Sequence, residues 1–378
     1  MMGWVKTIGL ASSLGPLIPA CAAFRAGVSR PSEAPDAEVF FPGDEEPGTV
    51  AVHVLPAATF GFSGVGRLIA LLTEALADLA TREDLRELDA QAGLYIALPD
   101  PQERGFTTSK EPDDEDADTS EERVAALGAR VVEGAFAALR QPWRGTPAQL
   151  FHGGNAAFGQ ALAAAAEDLK NRRVSTALVC AVDSLASAET VRFLREEGLL
   201  KTEDHPTGII PGEAAVALLL SPAPAAKGAA PGAPVFLRGV ALDTDPHPVG
   251  ADRPTDAQPL AGCIVSALGP LAPQARAPLL VSDHDGQHWR AYEWGTLQLQ
   301  LASRAPALAE APAWLPAMSF GHTGVASGGL GAAVALRAFQ RGYAPAPSIL
   351  VLSSSATGER AAIHLSSEEP SAPGRSRR

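Results

Sequence analysis

Residues 319–342 read "SFGHTGVASGGLGAAVALRAFQRG", with one histidine between glycines just before a run of small and apolar residues. Residues 150–172, "LFHGGNAAFGQALAAAAEDLKNR", place another histidine before a similar run. Each run has the length and composition of a helix that packs closely against its neighbours. These two stretches decide the fold because each of them opens a longer unit that occurs twice in the chain.

The two units continue in the same order. The first helix is followed by the apolar strand "ALVCAVDS" and then by "PGEAAVALLL", and the second by "LVLSSS" and "TGERAAIHL". Gly212-Glu213-x-Ala215 and Gly358-Glu359-x-Ala361 stand at matching places. A supersecondary unit that is used twice predicts two halves related by pseudo-symmetry.

Along the rest of the chain, short apolar runs alternate with segments of helical pattern, which predicts an α/β protein with buried sheets. We expect a first half over residues 1–224 and a second half over residues 235–366. A Pro/Ala/Gly-rich linker over 225–234 separates them, and a disordered tail follows over 367–378. The acidic, turn-rich stretch 100–124 predicts a solvated loop within the first half.

Composition excludes several classes of partner. The net charge of −13 comes without a basic stripe, which argues against nucleic acid and against anionic membranes. The sequence has no uninterrupted apolar run of about 18 residues, so a membrane-spanning helix is not expected. The three cysteines are few, odd in number and far apart, which is typical of a reducing compartment and predicts a cytoplasmic protein.

The first thirty residues allow two interpretations. A lysine, an apolar run and small residues are also features of a cleaved signal peptide. Gly9, Gly15, Pro16 and Pro19 interrupt the run, however. The pattern therefore favours a strand near Val5–Leu10, a turn, and a helix near residues 18–26.

Three stretches together resemble the β-ketoacyl-acyl-carrier-protein synthases, the condensing enzymes of the thiolase superfamily. "GHTGVASGGLGAAVALRAFQRG" is similar to the segment of the family that carries a catalytic histidine, and "TGIIPGEAAVALLLS" is similar to its GEGA strand pair. "KTIGLASSLGPLIPACAAFRAGVSRP" resembles its opening strand, turn and helix. The resemblance spans nearly the whole chain. It implies a five-layer α-β-α-β-α fold built from two duplicated halves, and it implies a dimer.

The resemblance also implies a set of chemical groups. The family uses a cysteine at a helix N-terminus, two histidines that hydrogen-bond the thioester carbonyl, and a lysine that supports one of them. His322 matches the second histidine and is the main catalytic candidate. The pocket expected around it is lined by Phe151, Gly321, Thr323, Gly324 and Ser354.

The sequence departs from the family at the other catalytic positions. Counting back from Gly159 places the nucleophile at Phe151 or His152, and neither is a thiol. Cys180 lies inside an apolar strand, where a cysteine is usually a small buried hydrophobe. Ala317 stands where the family has its lysine.

The remaining family loops are also altered. "VSDHDGQHWRAYEWG" contains His284 and His288 but no HGT motif, and "SSSATGE" replaces the gating loop. "DHDGQH" is more simply a polar loop than a metal site, and we expect neither a metal nor another cofactor.

These observations lead to a principal hypothesis and two alternatives. The principal one is a non-catalytic protein that binds an acyl chain or an acyl or malonyl carrier protein, as a homodimer or as a heterodimer with an active synthase. The first alternative is an atypical 3-oxoacyl synthase, acyltransferase or decarboxylase that uses His322, with His152 or His284 as further candidates. The second is a scaffold with a filled pocket.

Overall fold

The computed structural model describes residues 2–34, 48–106, 119–202, 205–222, 234–269, 276–308 and 310–368. Most of the predicted linker, most of the predicted tail and residues 107–118 of the predicted acidic loop lie outside the described residues. The last five residues of that predicted loop are helical, because Thr119 and Glu122 form a capping box that starts a helix at Ser120.

The strands alternate with the helices along the chain. The strands are β1 (Gly3–Ser12), β2 (Ser32–Glu33), β3 (Ala51–Val52), β4 (Gly93–Ala97), β5 (Gln149–Phe151), β6 (Ala177–Ser184), β7 (Glu213–Ser221), β8 (Val235–Thr244), β9 (Leu279–Ser282), β10 (Ala313–Trp314), β11 (Ser348–Ser354) and β12 (Glu359–Ser366). The helices are α1 (Leu17–Arg25), α2 (Pro56–Thr59), α3 (Gly64–Ala80), α4 (Ser120–Ala138), α5 (Ala157–Lys170), α6 (Ala188–Glu196), α7 (Gln258–Leu268), α8 (His288–Arg304), α9 (Ala317–Phe320) and α10 (Ser327–Gln340).

The large sheet contains the repeat that the sequence predicts. Its order is β10-β9-β11-β12-β8-β1-β7-β6-β4-β5, so the strand sequence 8-12-11-9-10 repeats the sequence 1-7-6-4-5 outward from the centre. The strand directions repeat as well, with antiparallel pairing next to the first strand of each half and parallel pairing at each edge. A short antiparallel ladder between β1 and β8 joins the two sets of five strands.

The two sets of strands enclose a central helical layer. Helix α5 packs against β4 and β6 of its own half and also against β8 and β12, and α10 packs in the same way against β9 and β11 and against β1 and β7. Helices α3 and α4 cover the outer face of the first half, and α7 and α8 cover the outer face of the second. The resulting order of layers is α-β-α-β-α, which confirms the predicted thiolase-like architecture.

Residues that are small or apolar on both faces make this layering possible. Along β6, Val179 faces the central core while Leu178 and Cys180 face the outer one, so the strand is buried on both sides. Small residues on the central helices allow the close approach. A Cβ on Gly329 of α10 would lie 2.9 Å from Val216 Cβ. The two small-residue runs therefore form the middle layer of the protein.

Most predicted elements agree with the structure, and some differ. Strand β1 and helix α1 form at the N-terminus, as the strand interpretation predicts. The apolar stretch "TVAVHVLP", residues 49–56, has the pattern of a longer strand, but it forms one only over Ala51–Val52. The segment that follows β9, taken as a loop from its sequence, becomes helix α8 from His288 onward. No helix within the described ranges is long and apolar enough to cross a membrane.

Candidate functional site at the two helix starts

The starts of α5 and α10 lie against each other in the central layer. A single 3₁₀ turn precedes each helix, over Gly154–Ala156 and over Gly324–Ala326. The first residue of each turn is a glycine in the left-handed region, with φ of 61° and 52° respectively. His152 and His322 precede these glycines at the same distance along the chain and are pseudo-equivalent.

A carboxylate of the first half holds the start of α10. Asp183 in β6 accepts a hydrogen bond from the backbone N–H of Val325, with 2.9 Å between N and Oδ2. Arg104 donates to both oxygens of the same carboxylate, at 2.8 Å from Nε and 2.7 Å from Nη2. Both side chains are buried. Since a buried ion pair with such geometry leaves little freedom, the turn before α10 is held rigidly.

Residues of the second half hold the start of α5 in return. The backbone N–H of Ala156 donates to Ser355 Oγ over 3.0 Å. The hydroxyl of Ser355 donates to the carbonyl oxygen of Gly153. Asn155 Nδ2 donates to Asp283 Oδ2 over 2.8 Å. The two helix starts are thus each anchored by the opposite half. A carboxylate binds the backbone of the turn before α10, whereas a neutral hydroxyl binds the backbone before α5 and the carboxylate of Asp283 contacts that turn through the side chain of Asn155.

His322 makes a short contact with a carboxylate that follows β9. Its Nδ1 lies 2.7 Å from Asp285 Oδ2, and the side chain of Asp285 is almost fully buried. Burial opposes ionisation of this carboxyl, but Arg290, with Nε 3.7 Å from Oδ1, and His322 outweigh it and hold the pKa of Asp285 far below its ordinary value. Arg290 is itself fixed by Asp283, at 2.7 Å between Nη1 and Oδ1. His322 is therefore part of a buried ionic network.

His53 lies next to this network and is not indicated by any sequence motif. A Cβ at position 321 would lie 2.8 Å from His53 Cδ2, so the glycine there lets the two segments touch. Burial lowers the pKa of His53 to about 4, and its Nδ1 has no hydrogen-bond partner among the described residues. The ring is consequently neutral at ordinary pH and packs as an apolar group.

The other two histidine candidates do not join His322. The ring of His284 stacks on Trp294 with 6.4 Å between centroids, and burial lowers its pKa. His152 is half-buried and makes no side-chain hydrogen bond within the described part of the chain. The neighbour that contacts His322 is Asp285, which the sequence had placed only in a polar loop.

The predicted pocket residues are distributed around the helix starts. Gly321, Thr323 and His322 line a cavity of only about 10 Å³, which also touches Ala317. The Thr323 hydroxyl lies 3.1 Å from Ser327 Oγ. Phe151 ends β5 and packs against the central core. Gly324 lies against Asp183, which anchors α10, and the backbone of Ser354 binds Asp283 and Arg290.

The three cysteines lie inside packed layers. Cys180 and Cys263 face the two outer cores, and Cys21 of α1 contacts α10, with 3.8 Å between its Sγ and the carbonyl oxygen of Ala333. Burial raises the pKa of the Cys21 and Cys263 thiols to about 12 and raises that of Cys180 further. Thiols in such surroundings are poor nucleophiles.

A larger cleft opens near the helix starts, on the surface of the second half. It encloses about 400 Å³ and is lined by His247, Pro248, Val249, Gly250, Ala251, Arg253, Pro254, Thr255, His288, Trp289, Tyr292 and Arg360. Arg360 is buried, is paired with Glu293 at 2.6 Å, and donates to the carbonyl oxygen of Ser355. The floor of the cleft therefore adjoins the residue that anchors α5. No cluster of metal-ligating side chains occurs within the described ranges.

Comparison with solved structures places this arrangement in a known fold. The chain is similar to the ishigamide ketosynthase/chain length factor, with a TM-score of 0.65 and 19% identity over 96% of this chain and 99% of that one. It is similar to AntDE:AntF, a type II acyl-carrier protein in complex with its ketosynthase bound to the hexaketide, with a TM-score of 0.70 and 15% identity over 96% and 98%.

It is also similar to the ketosynthase from module 6 of the bacillaene synthase of Bacillus subtilis 168, with a TM-score of 0.69 and 14% identity over 98% of this chain and 72% of that one. No family model and no curated protein matches the sequence. At these identities the similarity establishes the fold alone: the chain has a ketosynthase-like fold.

Proposed function

We propose that this chain is a non-catalytic partner subunit that binds the acyl-loaded arm of a carrier protein and does not form an acyl-enzyme. One observation carries the proposal. Phe151 and His152 stand at the helix start where the resemblance places a cysteine, and Cys21, Cys180 and Cys263 are buried in packed layers elsewhere. A thioester with the protein needs a thiolate at the site, and none of these positions offers one.

The space around the site supports the same proposal. The cavity beside His322, at about 10 Å³, has room for about one water molecule and not for an acyl chain. The cleft of about 400 Å³ is large enough for a small ligand and presents Trp289 and Tyr292 next to apolar loop residues. We therefore propose this cleft, which adjoins the start of α5 through Arg360 and Ser355, as the place where a ligand binds.

The partners proposed for this chain agree with those named for similar structures. One of these structures is a ketosynthase/chain length factor, and another contains an acyl-carrier protein with its ketosynthase. Strand β5 forms one edge of the large sheet and pairs only with β4 among the described strands. We propose a carrier protein as ligand and a homodimer or a heterodimer with an active synthase as the assembly, in the cytoplasm.

Binding to the cleft is testable by calorimetric titration of the full chain with an acyl-carrier-protein thioester. We expect saturable binding that Trp289→Ala and Tyr292→Ala each weaken about tenfold, or about 1.4 kcal/mol. Leu299→Ala is the matched control, because Leu299 lies on the same helix, is 74% exposed and does not line the cleft. Absence of binding, or an equal loss in the control, would contradict the proposal.

A second candidate function is favoured by the contact between His322 and Asp285. A histidine held by a carboxylate is a common arrangement for proton transfer, so decarboxylation of a malonyl thioester at His322 is the enzymatic alternative. Release of carbon dioxide from malonyl carrier protein that disappears in His322→Ala would replace the non-catalytic proposal with this one.

A further inference from the structure

The hydrogen bond between His322 and Asp285 has only one possible direction. Asp285 Oδ2 also accepts from Gln287 Nε2 at 2.7 Å, and its Oδ1 accepts from the backbone N–H of Gln287 at 3.1 Å. Arg290 adds a positive charge beside this carboxylate. A carboxylate in these surroundings is ionised and acts only as an acceptor. The nitrogen of His322 that lies 2.7 Å away must therefore be the donor.

The direction of this hydrogen bond determines whether the other ring nitrogen of His322 carries a proton. A neutral imidazole has one N–H, and the partner of one nitrogen decides which nitrogen carries the proton. We infer that Asp285 is a positioning residue that holds His322 with its proton on Nδ1, so that Nε2 of the neutral ring is a hydrogen-bond acceptor.

This assignment changes what His322 is able to bind. In the role that the family resemblance implies, the histidine donates a hydrogen bond to a thioester carbonyl. With Nδ1 protonated, the neutral His322 ring has no such donor on Nε2, and the complementary group is a small one with an O–H or S–H, since the cavity beside the ring is only about 10 Å³. The proposed function places the acyl ligand in the cleft, and the tautomer of His322 does not rest on it.

The neighbours of the ring support a fixed tautomer. His53 is a second imidazole that packs against Gly321, and it is neutral at ordinary pH. Arg290 is directed to Asp283 and Asp285 and not to the His322 ring. Within the described residues, the polar group that contacts the His322 imidazole is thus Asp285.

Nitrogen NMR of the full chain labelled with ¹⁵N-histidine measures the tautomer directly. Spectra recorded well above the ordinary histidine pKa of about 6.5 report the neutral rings. The His322 signals are identified by their loss in His322→Gln. We expect a protonated Nδ1 and an unprotonated Nε2 for His322 in the wild-type chain, and conversion to a mixture dominated by Nε2–H in Asp285→Ala. The His152 signals in the same spectra provide an internal reference.

Asp252→Ala is the control, because Asp252 is an exposed carboxylate on the loop that lines the cleft, and its removal should leave the His322 signals unchanged. A wild-type His322 protonated on Nε2 would overturn the inference without any variant, and so would an unaltered tautomer in Asp285→Ala. The titration with acyl-carrier protein is independent of this outcome, so failure of the proposed function is recognised separately.

Discussion

The two helix starts share a backbone conformation and differ in the group that binds their backbone N–H. Both have a 3₁₀ turn that begins with a glycine in the left-handed region, and both have a histidine two residues before it. The start of α10 is held by ionised side chains, Asp183 with Arg104 and Asp285 with Arg290. At the start of α5 the backbone is bound by the hydroxyl of Ser355, and the buried Asp283–Arg290 pair contacts the turn through the side chain of Asn155. The steric requirements of the duplicated unit are thus kept in both copies, whereas the backbone N–H of the turn is bound by a charged carboxylate before α10 and by a neutral hydroxyl before α5.

The largest expected effect concerns the two anchors. Asp183→Asn removes the charge that pairs with buried Arg104, and breaking such a pair costs about 3–5 kcal/mol. Ser355→Ala removes two neutral hydrogen bonds at the other helix start and should cost about 2 kcal/mol. Urea unfolding of both variants measures the difference in the free energy of unfolding. Equal losses would contradict the claim that a charged group holds the backbone before α10 and a neutral group the backbone before α5.

The turn glycines Gly154 and Gly324 provide a second test of the difference between the two helix starts. A Cβ at Gly324 would lie 2.0 Å from Asp183 Oδ2, whereas a Cβ at Gly154 would lie 2.9 Å from Ser355 Oγ. Both positions have positive φ, so both alanine variants carry backbone strain of about 1 kcal/mol, and only Gly324→Ala also displaces the buried carboxylate. We expect Gly324→Ala to lower the free energy of unfolding by about 2 kcal/mol more than Gly154→Ala. A larger loss in Gly154→Ala would show that the ionic anchor adapts.

His53, which lies beside Gly321, makes the free energy of unfolding depend on pH. Its pKa is lowered from 6.5 to about 4 in the folded chain. The unfolded chain therefore takes up a proton that the folded chain refuses, and stability is lost as pH falls from about 6.5 to 4, by about 2–3 kcal/mol. His364 and His284 have lowered pKa values and add to the slope. The pKa of Asp285 is also lowered, so Asp285 acts in the same sense as His53, but only near and below its unfolded pKa of about 3.9.

Urea unfolding between pH 4 and 8 of the wild-type chain and of His53→Gln measures this contribution. The variant should show a shallower loss of stability between about pH 6.5 and 4 and should run parallel to the wild type above about pH 7. An unchanged slope would mean that His53 is not the neutral packing group described beside Gly321.

The sequence predicts the frame of this molecule better than its site. The buried strands and the two small-residue helices have apolar patterns that leave few alternatives, and the repeated order from Gly212 and Gly358 indicates the pseudo-symmetry. The sequence does not predict helix α8, because its first buried residues, Arg290 and Glu293, are charged and interrupt the helical spacing of apolar residues. Asp285 is missed for the same reason, since its meaning depends on a guanidinium on that helix.

The remaining part of the site depends on pairs that are distant along the chain. Arg104 and Asp183 are separated by 79 residues, and Asn155 and Asp283 by 128. No local sequence pattern indicates which of these residues pair, because each of them is of a type that usually lies on the surface. His322 lies where the two halves meet, and its functional role stays a prediction.

The proposal that this chain forms no acyl-enzyme is tested most directly by intact mass. The full chain is incubated with an excess of acyl-carrier-protein thioester, and an active ketosynthase is treated in parallel. We expect an unchanged mass for this chain, while the ketosynthase gains one acyl group. A gain of one acyl group, mapped to Cys21, Cys180, Cys263 or any other side chain, would contradict it.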